Sequence, residues 1–306
     1  MSGGRLVVPF AVVFAWAAVG AAAQQPDPSQ VQIESQKLAD GVYMLTGQGG
    51  NIGVSAGGDG VVLIDDQYAP LVPKIREAIA KLSEEPVRFV INTHWHGDHT
   101  GGNEAFGKAG SVIVAHGNVR RRLSVEQVSA LSGRRTPPSP PAALPIVTFD
   151  RAVTLHYNGD DLEVMHVPNA HTDGDAIIRF RKANVVHMGD VFFNYRYPII
   201  DGGSGGSIAG VISAVDAVLL TLDERTKVIP GHGALASKAD LVAYRDMLAT
   251  VRDRIAKLIE AGKTQDEVIA AQPTREFDAR WGGGSLQPDV WVGRVYVDLR
   301  RGLAAE

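Results

Sequence analysis

Short apolar runs, each ended by glycine or by a polar cluster, alternate with amphipathic stretches along most of the chain. Residues 41–46, 52–56, 61–64, 87–91 and 111–115 read as strands, and Gly57-Gly58-Asp59-Gly60 reads as the turn between the second and third. Residues 71–82 and 118–131 carry helical spacing, and a further helix starts near Gly102. Prolines 137, 138, 140, 141 and 145 then stop regular structure, so residues 132–145 are expected to loop between two halves. The second half repeats the plan. Strands are expected at 153–157, 162–167, 176–180, 184–187 and 227–229, and helices at 208–222, 241–260, 264–270 and 289–301. Two β-then-α halves fit a single α/β body of two sheets packed face to face, with helices outside and polar loops at one edge.

The N-terminus follows a different pattern. Arg5 is followed by an apolar block over 6–19 and by Ala21-Ala22-Ala23, which is the layout of a secretory signal peptide over 1–23 cleaved before Gln24. The block is short for a span, so no stable membrane span is expected after cleavage, with an uncleaved anchor as the alternative. This predicts a periplasmic or secreted protein. Residues 24–37, polar and carrying Pro26 and Pro28, read as a flexible leader to one domain over 38–306. Losing Arg5 takes the net charge from −4 to −5, a poor balance for binding nucleic acid. With no cysteine, the fold is held by its core and not by disulfides.

The chemistry concentrates where the 87–91 strand ends. His94-Trp95-His96-Gly97-Asp98-His99-Thr100-Gly101-Gly102 sets three imidazoles and a carboxylate within six positions. Burying so many polar groups together is costly unless something satisfies them, and a divalent cation does so. Asp65-Asp66 closes another strand, either as a solvated turn or cap or as a carboxylate bonded to a ligand imidazole. Further polar residues follow apolar strands: His171 in HTDGD, Asp190 in MGD and His232 in PGHG.

HWHGDHTGG followed in order by these three motifs resembles the metallo-β-lactamase superfamily over about residues 38–260. The resemblance implies a four-layer αββα sandwich with a groove holding Zn(2+), two per chain. His94, His96 and His171 would hold the first ion, Asp98, His99 and His232 the second, and Asp190 would bridge them. A water shared by the ions would become the nucleophile, with Asp98 orienting it or taking its proton. His116, His156, His166 and His187 fit no such slot and are expected to be structural, His116 being the first candidate for an exception. Asp173 and Asp175 are expected to shape the His171 loop.

An exported member with this motif resembles the class B β-lactamases, so β-lactam hydrolysis is the leading expectation, with a small-molecule β-lactam, lactone or thioester as partner. In the best-known branch of those enzymes a Cys stands at the place of Asp190 and a Lys at that of Phe193. The Asp-bridged pattern looks more like the lactonase and thioesterase branches. An iron-dependent persulfide dioxygenase and a binding protein that keeps the site for structure alone are further readings. Asn194 is a candidate donor to a developing oxyanion and Arg196 a candidate partner for a substrate carboxylate, the alternative being a plain surface loop. Trp95 is expected to pack under the loop, and residues 202–206 to be flexible.

Overall fold

Strand periodicity alone explains how the first half divides its side chains. In the strand Gly60–Ile64, every residue is buried because both faces are covered. Val62 and Ile64 point to one face, into a cluster shared with the second half, and Val61 and Leu63 point to the other, against Ile75, Ile79 and Phe106. The protein is described by a computed structural model over residues 27–128, 133 and 135–305. The expected signal peptide and its cleavage point lie outside the described residues.

The first sheet joins β1 (Glu34–Ala39), β2 (Val42–Thr46), β3 (Ile52–Gly57), β4 (Gly60–Ile64), β5 (Val87–Ile91) and β6 (Val112–His116) in that order. Strands β7 (Gln127–Val128) and β8 (Arg135–Thr136) form a small separate ribbon, and β9 (Val147–Phe149) adds to the sheet beside β6. β1 to β4 are antiparallel, whereas β4, β5, β6 and β9 run parallel. The second sheet runs β10 (Ala152–Tyr157), β11 (Asp160–His166), β12 (Ala176–Phe180), β13 (Val185–His187), β14 (Lys227–Ile229) and β15 (Ala236–Ser237), with β13 and β14 parallel.

Helix α1 (Val72–Ala80) covers the outer face of the first sheet; α2 (Gly97–Thr100), α3 (Asn103–Lys108) and α4 (Gly117–Leu123) follow its parallel strands. Helices α5 (Ile208–Leu219) and α6 (Lys238–Glu260) cover the second sheet, followed by α7 (Gln265–Ala270), α8 (Asp278–Trp281) and α9 (Pro288–Ala305). The inner core joins Val62, Ile64, Ile91 and Val114 to Val164, Ile178, Phe180 and Ile229 of the opposite sheet. The architecture is thus the expected αββα sandwich. Among the described residues no helix is long and apolar enough to cross a membrane.

Three elements depart most from expectation. Ordered structure starts before Leu38, since Glu34–Ala39 pairs with β2 inside the expected leader; its burial pattern is exposed over its first four residues, so it carries no apolar alternation to read. The proline-rich stretch does not mark the end of the first half, because β9 still belongs to the first sheet. Helix α4 ends at Leu123, not at 131, and residues 129–131 of that expected helix lie outside the described residues. Beyond Leu123 the next apolar residues, Val125 and Val128, are exposed, so nothing rewards continuing the helix.

α6 starts three residues earlier than its apolar spacing suggests. Ser237 accepts from the Asp240 amide, and Asp240 accepts from the Ser237 amide, closing a capping box. Ser237→Ala is expected to lower unfolding free energy by about 1 kcal/mol, read as a reduced denaturant midpoint at unchanged slope.

Candidate metal centre

The parallel strands all deliver polar residues from their carboxyl ends. Asp65 follows β4, the His94–His99 motif follows β5, Asp190 follows β13 and His232 follows β14. Because β4 and β5 are parallel, as are β13 and β14, these ends lie along one edge of the sandwich, and the loops from both sheets meet there.

They meet as two groups of potential ligand atoms, His94, His96, His171 and Asp190 in one and Asp98, His99 and His232 in the other. In the first, His96 Nδ1 lies 3.1 Å from His94 Nε2 and 2.9 Å from His171 Nε2. Asp190 Oδ2 lies 3.9 Å from His94 Nε2 and 3.6 Å from His171 Nε2. In the second, Asp98 Oδ2 is 3.3 Å from His232 Nε2 and 3.7 Å from His99 Nε2. Asp190 Oδ1 joins them, 3.1 Å from His99 Nε2 and 3.4 Å from His232 Nε2. One carboxylate therefore divides its oxygens between the two groups.

The partners of the other ring nitrogens fix what these atoms present. Asp65 accepts from the Thr93 amide through Oδ1 and from Thr93 Oγ1 through Oδ2, each at 2.7 Å. With its hydrogen so committed, Thr93 Oγ1 accepts from His94 Nδ1 at 3.0 Å. His99 Nδ1 donates to Asp65 Oδ2 at 2.7 Å, His171 Nδ1 to the Ile199 carbonyl at 2.7 Å, and His96 Nε2 to Asp201 Oδ2 at 3.0 Å. With one nitrogen committed outward, each of these four rings points its other nitrogen inward, where it offers a lone pair whenever the ring gives up its second hydrogen. In the first group three lone pairs crowd together with no hydrogen between them, and Asp190 Oδ1 is buried without a hydrogen-bond donor. A bound cation would resolve both conflicts, and nitrogen and oxygen donors of this kind are among those zinc takes.

The electrostatics differ between the two groups. Burial pushes His94 well down and His171 down to about 4, holding both neutral against the pull of Asp190. In the second group burial opposes charge and loses. Asp190 and its neighbouring carboxylates raise His99 and bring His232 up to about 9, while Asp98 falls to about 2 beside those imidazoles. Cations compete there with protons.

Glycine permits the close packing at two points. A Cβ on Gly50 would stand 2.1 Å from the His99 ring, and one on Gly231 would stand 2.0 Å from Asp190 Oδ1.

Of the paired carboxylates, Asp65 is the one bonded to a ligand imidazole; Asp66 accepts from the Gly102 amide instead. Asp175 accepts from the His171 and Thr172 amides, as expected of a residue shaping that loop. Asp173 pairs with Arg122. His116 lies outside both groups, stacked on His166 with ring centroids 3.7 Å apart, and His187 bonds the Asn51 carbonyl. Trp95 packs with the Ala115, Val119 and Leu123 cluster and against the His96 ring.

Asn194 has a structural part in the loop. Its side chain is buried and Nδ2 donates to the Ala234 carbonyl at 3.0 Å, while its amide donates to the His232 carbonyl, so it braces the His232 loop. Phe193 stacks on His232, with centroids 5.2 Å apart, and Arg196 is exposed. Residues 202–206 hold a short 3-10 turn capped by Asp201.

Three supports were not anticipated. Thr93 and Asp201 act as described above. Asn51 donates from Nδ2 to the Pro230 and Gly233 carbonyls and from its amide to Gly231, tying the His232 loop to the first sheet. An Asn in Gly-Gly-Asn after an apolar strand gave a faint hint; Asp201, at the end of Tyr-Pro-Ile-Ile, gave less.

The sequence model described as the metallo-beta-lactamase superfamily matches residues 45–232, over half of the chain and all seven potential ligands. The chain belongs to the metallo-β-lactamase superfamily. Solved structures share the superfamily fold. A metallo-β-lactamase from Pontibacter korlensis is 20% identical with a TM-score of 0.56, over 71% of this chain and 99% of that one. The DIM-1 metallo-β-lactamase is 18% identical with a TM-score of 0.59, over 72% and 99%. The sec-alkylsulfatase Pisa1 from Pseudomonas sp. is 18% identical with a TM-score of 0.65, over 86% of this chain but 50% of that one. Superfamily members are in general hydrolytic metalloenzymes, and this one carries His and Asp groups able to hold metal.

Proposed function

We propose that this chain is an exported di-zinc hydrolase that opens a cyclic amide or ester, with β-lactams the leading substrate class. The observation that carries the two-metal reading is the division of Asp190, Oδ2 toward His94 and His171 and the otherwise unpaired Oδ1 toward His99 and His232. His94, His96, His171 and Asp190 would hold one ion, and Asp98, His99, His232 and Asp190 the other. Bound there, zinc would supply Lewis-acid polarisation of the scissile carbonyl and acidify water at neutral pH. Asp98 is the most accessible of the carboxylates among these residues, and its Oδ2 faces His232; it is placed to orient the attacking water and receive its proton. Asp65, Thr93, Asp201 and the Ile199 carbonyl keep the imidazoles aimed, so little reorganisation is needed during reaction. A persulfide dioxygenase needs one metal only, and the complete second group favours hydrolysis. Export rests on the 1–23 pattern.

A lactone or thioester is the second reading. Asp190 in place of a Cys favours it, as does Phe193, which stacks on His232 where a cation would meet a β-lactam carboxylate. Hydrolysis by the zinc-loaded protein should be screened over a penicillin, a carbapenem, an acyl-homoserine lactone, a thioester and a secondary alkyl sulfate, with Asp98→Ala as blank and metal content measured alongside. β-Lactam turnover above the blank is expected. Turnover confined to the lactone or thioester selects the second reading, and none on any substrate overturns both.

A further inference from the structure

The segment that supports the first ligand group is itself held from outside by α9. The Ile199 carbonyl accepts from His171 Nδ1, and Asp201 Oδ2 accepts from His96 Nε2. The same segment clasps the loop that carries His171. The Asp201 amide donates to the His171 carbonyl, the Ser207 amide to the Asn169 carbonyl and the Asp173 amide to the Ser204 carbonyl. These bonds join the two loops into one unit, whose position then depends on what grips it from the rest of the fold. Arg122 grips it at Asp173. At the other end the grip comes from two residues one turn apart on α9. Arg301 Nη1 donates to the Gly202 carbonyl at 3.0 Å, directly after Asp201, and Asp298 Oδ2 accepts from the Ile208 amide at 2.8 Å, at the start of α5.

The stretch between these two bonds, Gly202-Gly203-Ser204-Gly205-Gly206-Ser207, has no side chain larger than serine with which to pack. A chain so rich in glycine has many conformations open to it, and bonds at its two ends remove much of that freedom. Cavities of about 500 and 530 Å³ are both lined by Gly202, Asp298 and Arg301, so no continuous packed wall backs the stretch where α9 meets it. We propose that Asp298 and Arg301 are positioning residues for the first ligand group: by fixing both ends of the 202–208 stretch, they hold Asp201 and the Ile199 carbonyl where these aim His96 and His171 at one ion. Neither belongs to the ligand set, and the second group, supported by Asp65 and Asn51, does not depend on them. The effect on ion affinity rests on the two-metal reading; the effect on the rings does not.

Arg301→Ala and Asp298→Ala are measured in the full chain in two ways. Zinc titrated into the metal-free protein against a chromophoric chelator should show one ion bound about three- to tenfold more weakly, at or below the low end for residues behind metal ligands, and the other within about twofold of the parent. 15N spectra of the imidazoles, recorded without metal at one pH, should show the His96 hydrogen no longer confined to Nε2 nor the His171 hydrogen to Nδ1, while His99 keeps its own on Nδ1 against Asp65. Arg301 is exposed, so Arg301→Ala leaves the core intact and decides the matter if Asp298→Ala does not fold. Arg301→Lys keeps a donor for the Gly202 carbonyl and Asp298→Asn an acceptor for the Ile208 amide, and both should return close to the parent. Parental affinities and ring spectra in the alanine variants overturn the proposal. So do equal weakening of both ions, a change at His99 as large as that at His96, or conservative variants that behave as the alanine ones. If the parent itself takes no pair of ions, the two-metal reading falls, and the ring spectra alone decide whether α9 aims His96 and His171.

Discussion

Asp190→Asn is expected to lose at least one of two bound zinc ions on dialysis and to lower turnover by about three orders of magnitude or more, near 4 kcal/mol of activation free energy. The shape of the side chain is kept, so the effect isolates chemistry. Asp190 is 5% exposed and addresses four imidazoles, two through each oxygen. An amide presents one oxygen and one NH2 group. Whichever way it turns, one group of ligands meets hydrogens where a lone pair stood, and the charge that offsets two dications is gone. If the amide faces His99 and His232, the second group keeps only Asp98 as an anion. Elemental analysis against protein concentration reads the stoichiometry, and initial rates on the best substrate of the screen read the chemistry. Two tightly held ions at parental rate would remove Asp190 from the bridging position.

The reach of sequence reasoning followed the range of the forces involved. Strands such as Val87–Ile91 and Ala176–Phe180 were legible to the residue because a run of β-branched and aromatic side chains is written in composition. β1 was not, since Glu34-Ser35-Gln36-Lys37 is an exposed edge stretch held by backbone pairing with β2, which any residue can supply. The ligand residues stood out because rare side chains recur at short spacing. Their supports did not. Asp201 meets His96 across 105 positions and Asn51 meets Pro230 across 179, and neither residue type is unusual where it stands. Asn194 illustrates the converse: adjacency to a ligand in sequence suggests a substrate contact and says nothing of the bond that the structure shows, from its side chain to the Ala234 carbonyl in the 232–234 loop. Asp65 lay between these cases, visible as one of two acids at a strand end but distinguishable from Asp66 only by what the Thr93 and Gly102 amides reach.

Asp65→Asn should weaken zinc binding by about 10- to 100-fold without direct contact to either ion, the range typical of residues that orient metal ligands. Asp65 is fully buried with φ of 65°, a backbone conformation that Asn adopts as readily, so strain does not enter. As an anion it accepts three hydrogen bonds, from the Thr93 amide, Thr93 Oγ1 and His99 Nδ1. The amide keeps the first and meets His99 and Thr93 with an NH2 group. His99 must then accept at Nδ1 and carry its hydrogen on Nε2, the atom facing Asp98 and Asp190. Thr93 loses its acceptor and with it the reason to receive His94 Nδ1, so the first group loosens as well. Asp65→Ala removes every acceptor and adds a stability loss of about 3–5 kcal/mol, as expected for stripping one member from a buried charged pair. Competition titration with a chromophoric chelator measures affinity for each variant, and thermal unfolding of the metal-free proteins separates it from stability. Parental affinity in Asp65→Asn would mean that packing around His99, not its bond to the carboxylate, sets the tautomer.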